Sequence, residues 1–211
     1  MKLTVEVISD VICPWCFIGK RRLEKAVASL DQGTEVTVKW LPYQLNPAMP
    51  QEGVSRIAYR TQKFGSWERS QELDANVAAT GQSEGIEFRF DLMEQTPNTV
   101  DAHRLVWLAG QHGCQDAVVE ALFVAYFTLG KDVSNRESLI DVVVHAGLER
   151  QVVEWFLKSR AGLDEIEQAN QLAKEVGVDG VPFFIINRKV ALAGAQSPET
   201  FLQVFKQLAS A

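Results

Sequence analysis

The sequence predicts an α/β fold in which a β-α-β unit and an α-β-β-α unit enclose a large helical insert. Three observations predict it. A β-branched run from Leu3 to Ile8 leads through Cys13-Pro14-Trp15-Cys16 into a helically spaced stretch and then a second strand. From Asn46 to about Gly162 nearly everything reads helical, with Gly65, Gly81, Gly113, Gly130 and Gly147 placed at helix ends. From Leu163 onward come one more helix, two apolar strands and a capped final helix. The expected organisation is therefore a discontinuous α/β domain, residues 1–45 and 163–211, interrupted by an α-helical domain of residues 46–162.

Each element has a local cause. Leu3 to Ile8 is rich in β-branched residues and reads as a strand. Leu23, Ala26, Val27 and Leu30 repeat at helical spacing, so a helix runs from about Pro14 to Leu30, stopped by Asp31-Gln32-Gly33. Val36, Val38, Trp40 and Leu41 make the second strand, which Pro42 ends. A β-α-β unit implies a parallel pair with a right-handed crossover. In the insert, Asn98 and Asn135 can cap helices over Thr99–His112 and Arg136–Ala146, Trp155-Phe156-Leu157 lie in a further helix, and Ile86-Glu87-Phe88 is a short extended piece. Leu163, Ile166, Ala169, Ala173 and Val176 share a helical face that Gly177 terminates. Phe183–Ile186 and Val190–Leu192 are strands joined by a turn at Asn187-Arg188-Lys189. Ser197 then caps the last helix, with Pro198 at its first position.

Composition narrows the function classes. Of 211 residues, 46% are hydrophobic and 23% charged, the mixture of a globular domain, and the net charge of -6 gives no basic surface for nucleic acid or anionic lipid. No apolar run is long enough to span a bilayer. Glu6 interrupts the only apolar stretch near Met1, which argues against a secretory signal, so a cytoplasmic protein is expected. The three cysteines, Cys13, Cys16 and Cys114, are too few for a disulfide framework.

The chemistry concentrates at Cys13-Pro14-Trp15-Cys16. Two thiols one helical turn apart, at the junction of a strand and a helix, can exchange two electrons by forming and breaking a disulfide. Unpaired N–H groups and the helix dipole at that helix start favour an anion, and the thiolate is the reactive form of cysteine. Pro14 suits the first helical position because it has no N–H to leave unpaired. Half a zinc site is the competing reading, with His112 and Cys114 as completing ligands. The strand-to-helix context, the Trp15 between the thiols and the lack of a second such pair favour redox work. A second signal is Val181-Pro182, directly before the third strand, where a cis bond is compatible with the sequence.

Cys13-Pro14-Trp15-Cys16 after the first strand, with Gly180-Val181-Pro182-Phe183 before the third, resembles the thioredoxin fold. The helical insert makes the chain similar to the DsbA-like group, and within it to the FrnE-like dithiol oxidoreductases. That closer resemblance rests on Ser9 to Gly19, Leu45-Asn46-Pro47, Asn98-Thr99 with Ala102-His103-Arg104-Leu105, and Gly194 to Pro198. The resemblance implies that Cys13 is the exposed attacking thiolate and Cys16 the buried resolving thiol. It also implies that Pro182, in cis, faces Cys13, and that Val181 offers its backbone to a peptide or to glutathione. Pro14, Trp15, Asn46 and His103 join Val181 as substrate-side candidates. His103 could serve as an acid–base helper or as an anchor for the insert, and Asp10 could relay a proton or shape the loop.

The expected activity is thiol–disulfide exchange with protein or small-molecule disulfides. No metal or organic cofactor is needed, because the dithiol is itself the redox centre, and glutathione is a candidate substrate. Kappa-class glutathione transferases and 2-hydroxychromene-2-carboxylate isomerases share Leu45-Asn46-Pro47 and Asn98-Thr99 but typically carry serine where Cys13 stands. A glutathione-dependent isomerase or transferase is thus the alternative. Neutral, apolar Trp15 would make the pair less oxidising than a histidine there. Lys20-Arg21-Arg22 reads as a solvated face, and Cys114 as a small buried apolar residue.

Overall fold

Strand β1 (Lys2–Ser9), helix α1 (Pro14–Ala28) and strand β2 (Glu35–Pro42) open the chain in a computed structural model that describes residues 2–210, leaving Met1 and Ala211 outside. There follow β3 (Val54–Ser55), α2 (Arg56–Phe64), α3 (Trp67–Ser83), β4 (Gln95–Thr96), α4 (Val100–Gln111), α5 (Gln115–Phe123), α6 (Arg136–His145) and α7 (Arg150–Lys158). The chain closes with α8 (Leu163–Glu175), β5 (Phe183–Ile186), β6 (Val190–Ala193) and α9 (Pro198–Ala209). The main sheet has the order β2-β1-β5-β6 and draws only on the two ends of the chain. β1 pairs parallel with β2, Val7 opposite Trp40, and antiparallel with β5, Val7 opposite Phe184. This is a thioredoxin-like mixed α/β architecture, rich in helix.

The ends of the elements follow local chemistry. Pro14 stands in the first turn of α1, and the side chains of Ser197 and Asn135 accept from Thr200 N–H and Ser138 N–H to open α9 and α6. Gly177 ends α8 with φ +79°, a conformation that glycine adopts without strain. Asn187 and Arg188 take φ of +50° and +55°, giving a tight β5–β6 turn, and Asn187 Oδ1 accepts from Thr4 N–H at 2.8 Å.

Three local expectations are corrected. Asn98 sits one residue before the cap position, which Thr99 occupies, yet its Oδ1 still accepts from Val100 N–H at 2.9 Å. Ile86-Glu87-Phe88 forms no strand. Its apolar side chains fill the core while the Ile86 and Arg89 N–H groups bond Gly81 and Phe127 carbonyls, and the extended pair in the insert is β3 with β4. Lys20-Arg21-Arg22 is no solvated face. Lys20 is 2% exposed and meets Glu24, Asp116 and Glu120, Arg21 meets Glu120, and Arg22 meets Glu84. Three successive positions on a helix point in different directions, and here each finds a carboxylate of the insert.

One core joins the insert to the sheet layer. Phe17 of α1 stacks on Phe123 of α5 at 5.1 Å between ring centroids and meets Phe88 edge-on at 6.1 Å. The outer edge of β2 is closed by a side chain. Gln115 Oε1 accepts from Trp40 N–H at 2.9 Å and its amide donates back to Trp40 C=O at 3.1 Å, so the carboxamide imitates a neighbouring strand. No helix among the described residues is long and apolar enough to cross a membrane.

Candidate active site

The site forms where β1 hands over to α1. Cys13 is the N-cap of α1, in extended conformation, and its N–H donates to Asp10 C=O at 3.0 Å. Pro14 follows at the first turn and Trp15, 41% exposed, projects from it. Cys16 lies one turn on and is fully buried, and both sulfurs are free thiols.

The Val181-Pro182 bond is cis, and the carbonyl before it accepts a hydrogen bond from Cys13 Sγ at 3.4 Å. Behind this contact Gly19 lets α1 approach closely. A Cβ there would stand 3.0 Å from Pro182 Cγ and 3.1 Å from Phe184 Cζ. The exposure of Cys13 implied by the family resemblance is corrected, since it is only 5% exposed. The Val181 segment covers one side of the thiol, and the other side opens into a cavity.

Burial pushes the Cys16 thiol well above its ordinary value, and a hydrogen bond and charge from Cys13 push the same way against smaller pulls from Ser9 and the Asp10 backbone. Cys16 therefore holds its proton more firmly than an ordinary cysteine, the state expected of a thiol that acts second.

Asp10 is wholly buried with both carboxylate oxygens engaged. Oδ1 lies 3.1 Å from His103 Nε2 of α4, and Oδ2 accepts from Leu45 N–H at 2.8 Å. His103 is 2% exposed and does not line the cavity, so the structure places it as a link between the insert and the loop before Cys13, not on the substrate side. Asn46 does line the cavity, with its Oδ1 accepting from the Tyr59 hydroxyl.

The cavity encloses about 500 Å³ and has Cys13, Pro14, Trp15 and Asn46 on one wall. The opposite wall comes from the insert: Arg56, Tyr59, Arg60 and Lys63 of α2, Leu73 and Val77 of α3, and Tyr126 and Phe127. These last two lie in a π-helical turn, Val124–Thr128, that prolongs α5. Sequence reasoning missed this wall. The one signal available was the i, i+3/i+4, i+7 spacing of Arg56, Tyr59, Arg60 and Lys63, which puts them on one helical face. Among the described residues, no group of three or more His, Cys, Asp or Glu side chains is arranged to hold a metal ion.

Comparison with known proteins agrees with this fold. A family model described as a DSBA-like thioredoxin domain matches residues 4–206. A probable DsbA oxidoreductase from Streptomyces coelicolor is 32% identical and superposes with a TM-score of 0.88 over 97% of this chain and 89% of its own. A 2-hydroxychromene-2-carboxylate isomerase, 19% identical, superposes at 0.73 over 98% of this chain and 96% of its own. The cytosolic disulfide reductase DsbM from Pseudomonas aeruginosa, solved with glutathione, is 19% identical and superposes at 0.68 over 99% of this chain and all of its own.

Proposed function

Because the chain belongs to the DSBA-like thioredoxin domain family, we propose that it is a thiol–disulfide oxidoreductase of the FrnE-like, dithiol kind, with Cys13 as nucleophile and Cys16 as resolving thiol. The observation that carries this reading is the asymmetry of the pair. Cys13 caps a helix and faces a cavity, while Cys16 is sealed beneath it and held protonated.

The proposed reaction balances within the site. The Cys13 thiolate attacks one sulfur of a substrate R–S–S–R′, forming a Cys13–S–S–R bond and expelling R′–S⁻, which takes up a proton. Cys16 gives up its proton and attacks Cys13 Sγ, expelling R–S⁻. The substrate ends as two thiols and the protein as a Cys13–Cys16 disulfide, two electrons having passed between them. The reverse sequence oxidises a dithiol. The N-terminus of α1 favours negative charge at Sγ, and cis-Pro182 with Val181 forms the wall beside it.

Substrates in this reading are protein disulfides or small disulfides, glutathione disulfide among them, and the setting is the cytoplasm. The glutathione-bound DsbM structure supports a small thiol in such a site. The dithiol is the redox centre and no further cofactor enters. The alternative, a glutathione-dependent isomerase or transferase, is favoured only by Asn46 lining the cavity. Cys13, standing where those enzymes typically carry serine, weighs against it.

The test is turnover of a disulfide with dithiothreitol as reductant. Wild type should accelerate the exchange and Cys13→Ser should abolish it. Retention of most of the acceleration by Cys13→Ser would remove the reading.

A further inference from the structure

The cavity beside Cys13 has a charge opposite to that of the chain. Three cations of α2, Arg56, Arg60 and Lys63, line it against a single carboxylate, Asp74, in a protein of net charge -6. Asp74 is already divided. Its Oδ2 takes Arg56 Nη2 at 2.6 Å and its Oδ1 takes Arg60 Nη2 at 2.7 Å. Lys63 is different. Its ammonium donates to the Tyr59 hydroxyl at 3.2 Å and lies over the Tyr59 and Phe64 rings at 5.4 and 5.8 Å, with no carboxylate partner among the described residues.

Lys63 is also joined to the reacting end of the cavity. The Tyr59 hydroxyl that accepts the Lys63 hydrogen bond donates in turn to Asn46 Oδ1, and Asn46 shares the cavity wall with Cys13. Between them the walls are apolar, with Ile12, Leu45, Phe64, Leu73 and Val77. An apolar body with an anionic end fits this arrangement, because a low-dielectric wall focuses the field of an unneutralised cation.

We infer that this site selects small disulfides carrying an anionic group, and that Lys63 is the residue that reads that charge. The inference rests on the proposed thiol–disulfide exchange at Cys13 and specifies its substrate class. Lys63 takes no part in the bond changes. It raises the local concentration of the anionic disulfide and orients its charged end away from Cys13.

Three small disulfides of similar length and different charge provide the test: 3,3′-dithiodipropionate, bis(2-hydroxyethyl) disulfide and cystamine. In wild type kcat/KM should fall in the order anionic, neutral, cationic. In Lys63→Glu the ratio of anionic to neutral kcat/KM should drop about tenfold, mainly through KM, and Lys63→Arg should restore most of it. The wild-type preference should also shrink as ionic strength rises through the range where the Debye length falls below about 10 Å. A ratio within about twofold of wild type in Lys63→Glu, with Cys13-dependent turnover of the neutral disulfide intact, would overturn the inference and leave the exchange reading standing. Absence of Cys13-dependent turnover with all three disulfides in wild type would remove the exchange reading and the inference with it.

Discussion

The Cys13 thiol donates a hydrogen bond to the Val181 carbonyl at 3.4 Å, across 168 positions of sequence. That contact joins the two ends of the chain that build the four-stranded sheet at the reacting atom. It also determines which side of the sulfur a substrate can reach, because the Val181-Pro182 segment covers one side and the cavity opens on the other. Function depends on that one-sided access and on the difference between the two thiols.

The buried thiol gives a pH dependence. Burial, reinforced by Cys13, raises Cys16 well above its ordinary value, so the folded protein holds that proton at neutral pH. Release of the mixed disulfide needs the Cys16 thiolate and should therefore speed up as pH rises from about 6 to 9. Rapid acid quench followed by intact mass should find more Cys13 adduct at the lower pH. Release that is independent of pH would contradict the assignment of Cys16.

His103→Ala should cost about 1–3 kcal/mol of stability, because it leaves a buried oxygen of Asp10 without its partner. Urea denaturation measures it. A loss under about 0.5 kcal/mol would show that the link between α4 and the Asp10 loop is not a structural anchor.

Glu84 should make part of the stability sensitive to acid. Burial raises its carboxyl, but hydrogen bonds from Lys25 and Arg22 outweigh burial and hold it below its ordinary 4.5. A carboxylate lowered in the folded state stabilises above its unfolded pKa and loses that contribution as pH falls through the folded one. Thermal melts should show a gap between wild type and Glu84→Gln at neutral pH that closes below about pH 4. A gap of constant size across that range would count against the ion pairs.

Much of this architecture was legible in the sequence because its causes are local. Pro14, Asn135, Gly177 and Ser197 mark element ends through their own backbone or side-chain chemistry, and the structure uses each of them there. The cysteine pair was legible for the same reason. The far wall of the cavity was not, since Arg56, Lys63, Val77 and Phe127 meet only through tertiary packing. Lys20 shows the same limit. A charge run on a helix reads as solvated until partners from α5 cover it, and here Asp116 and Glu120 do so. The closure of the β2 edge by Gln115 likewise needs a contact 75 positions away.

Trp15→His should raise the reduction potential of the pair. The indole is neutral and half-exposed beside the thiols, whereas a histidine can donate to or carry charge near a thiolate and so favour the reduced form. Equilibration in glutathione redox buffers, read by alkylation of free thiols, measures the shift. An unchanged or lower potential would remove Trp15 as a determinant of redox poise.

The most direct test of the central claim is the intact mass of Cys16→Ser after brief exposure to a small disulfide. One substrate thiol should be joined to Cys13, stable without reductant and released by dithiothreitol. A protein that stays unmodified, or carries the adduct on Cys114 with Cys13 free, would contradict that claim.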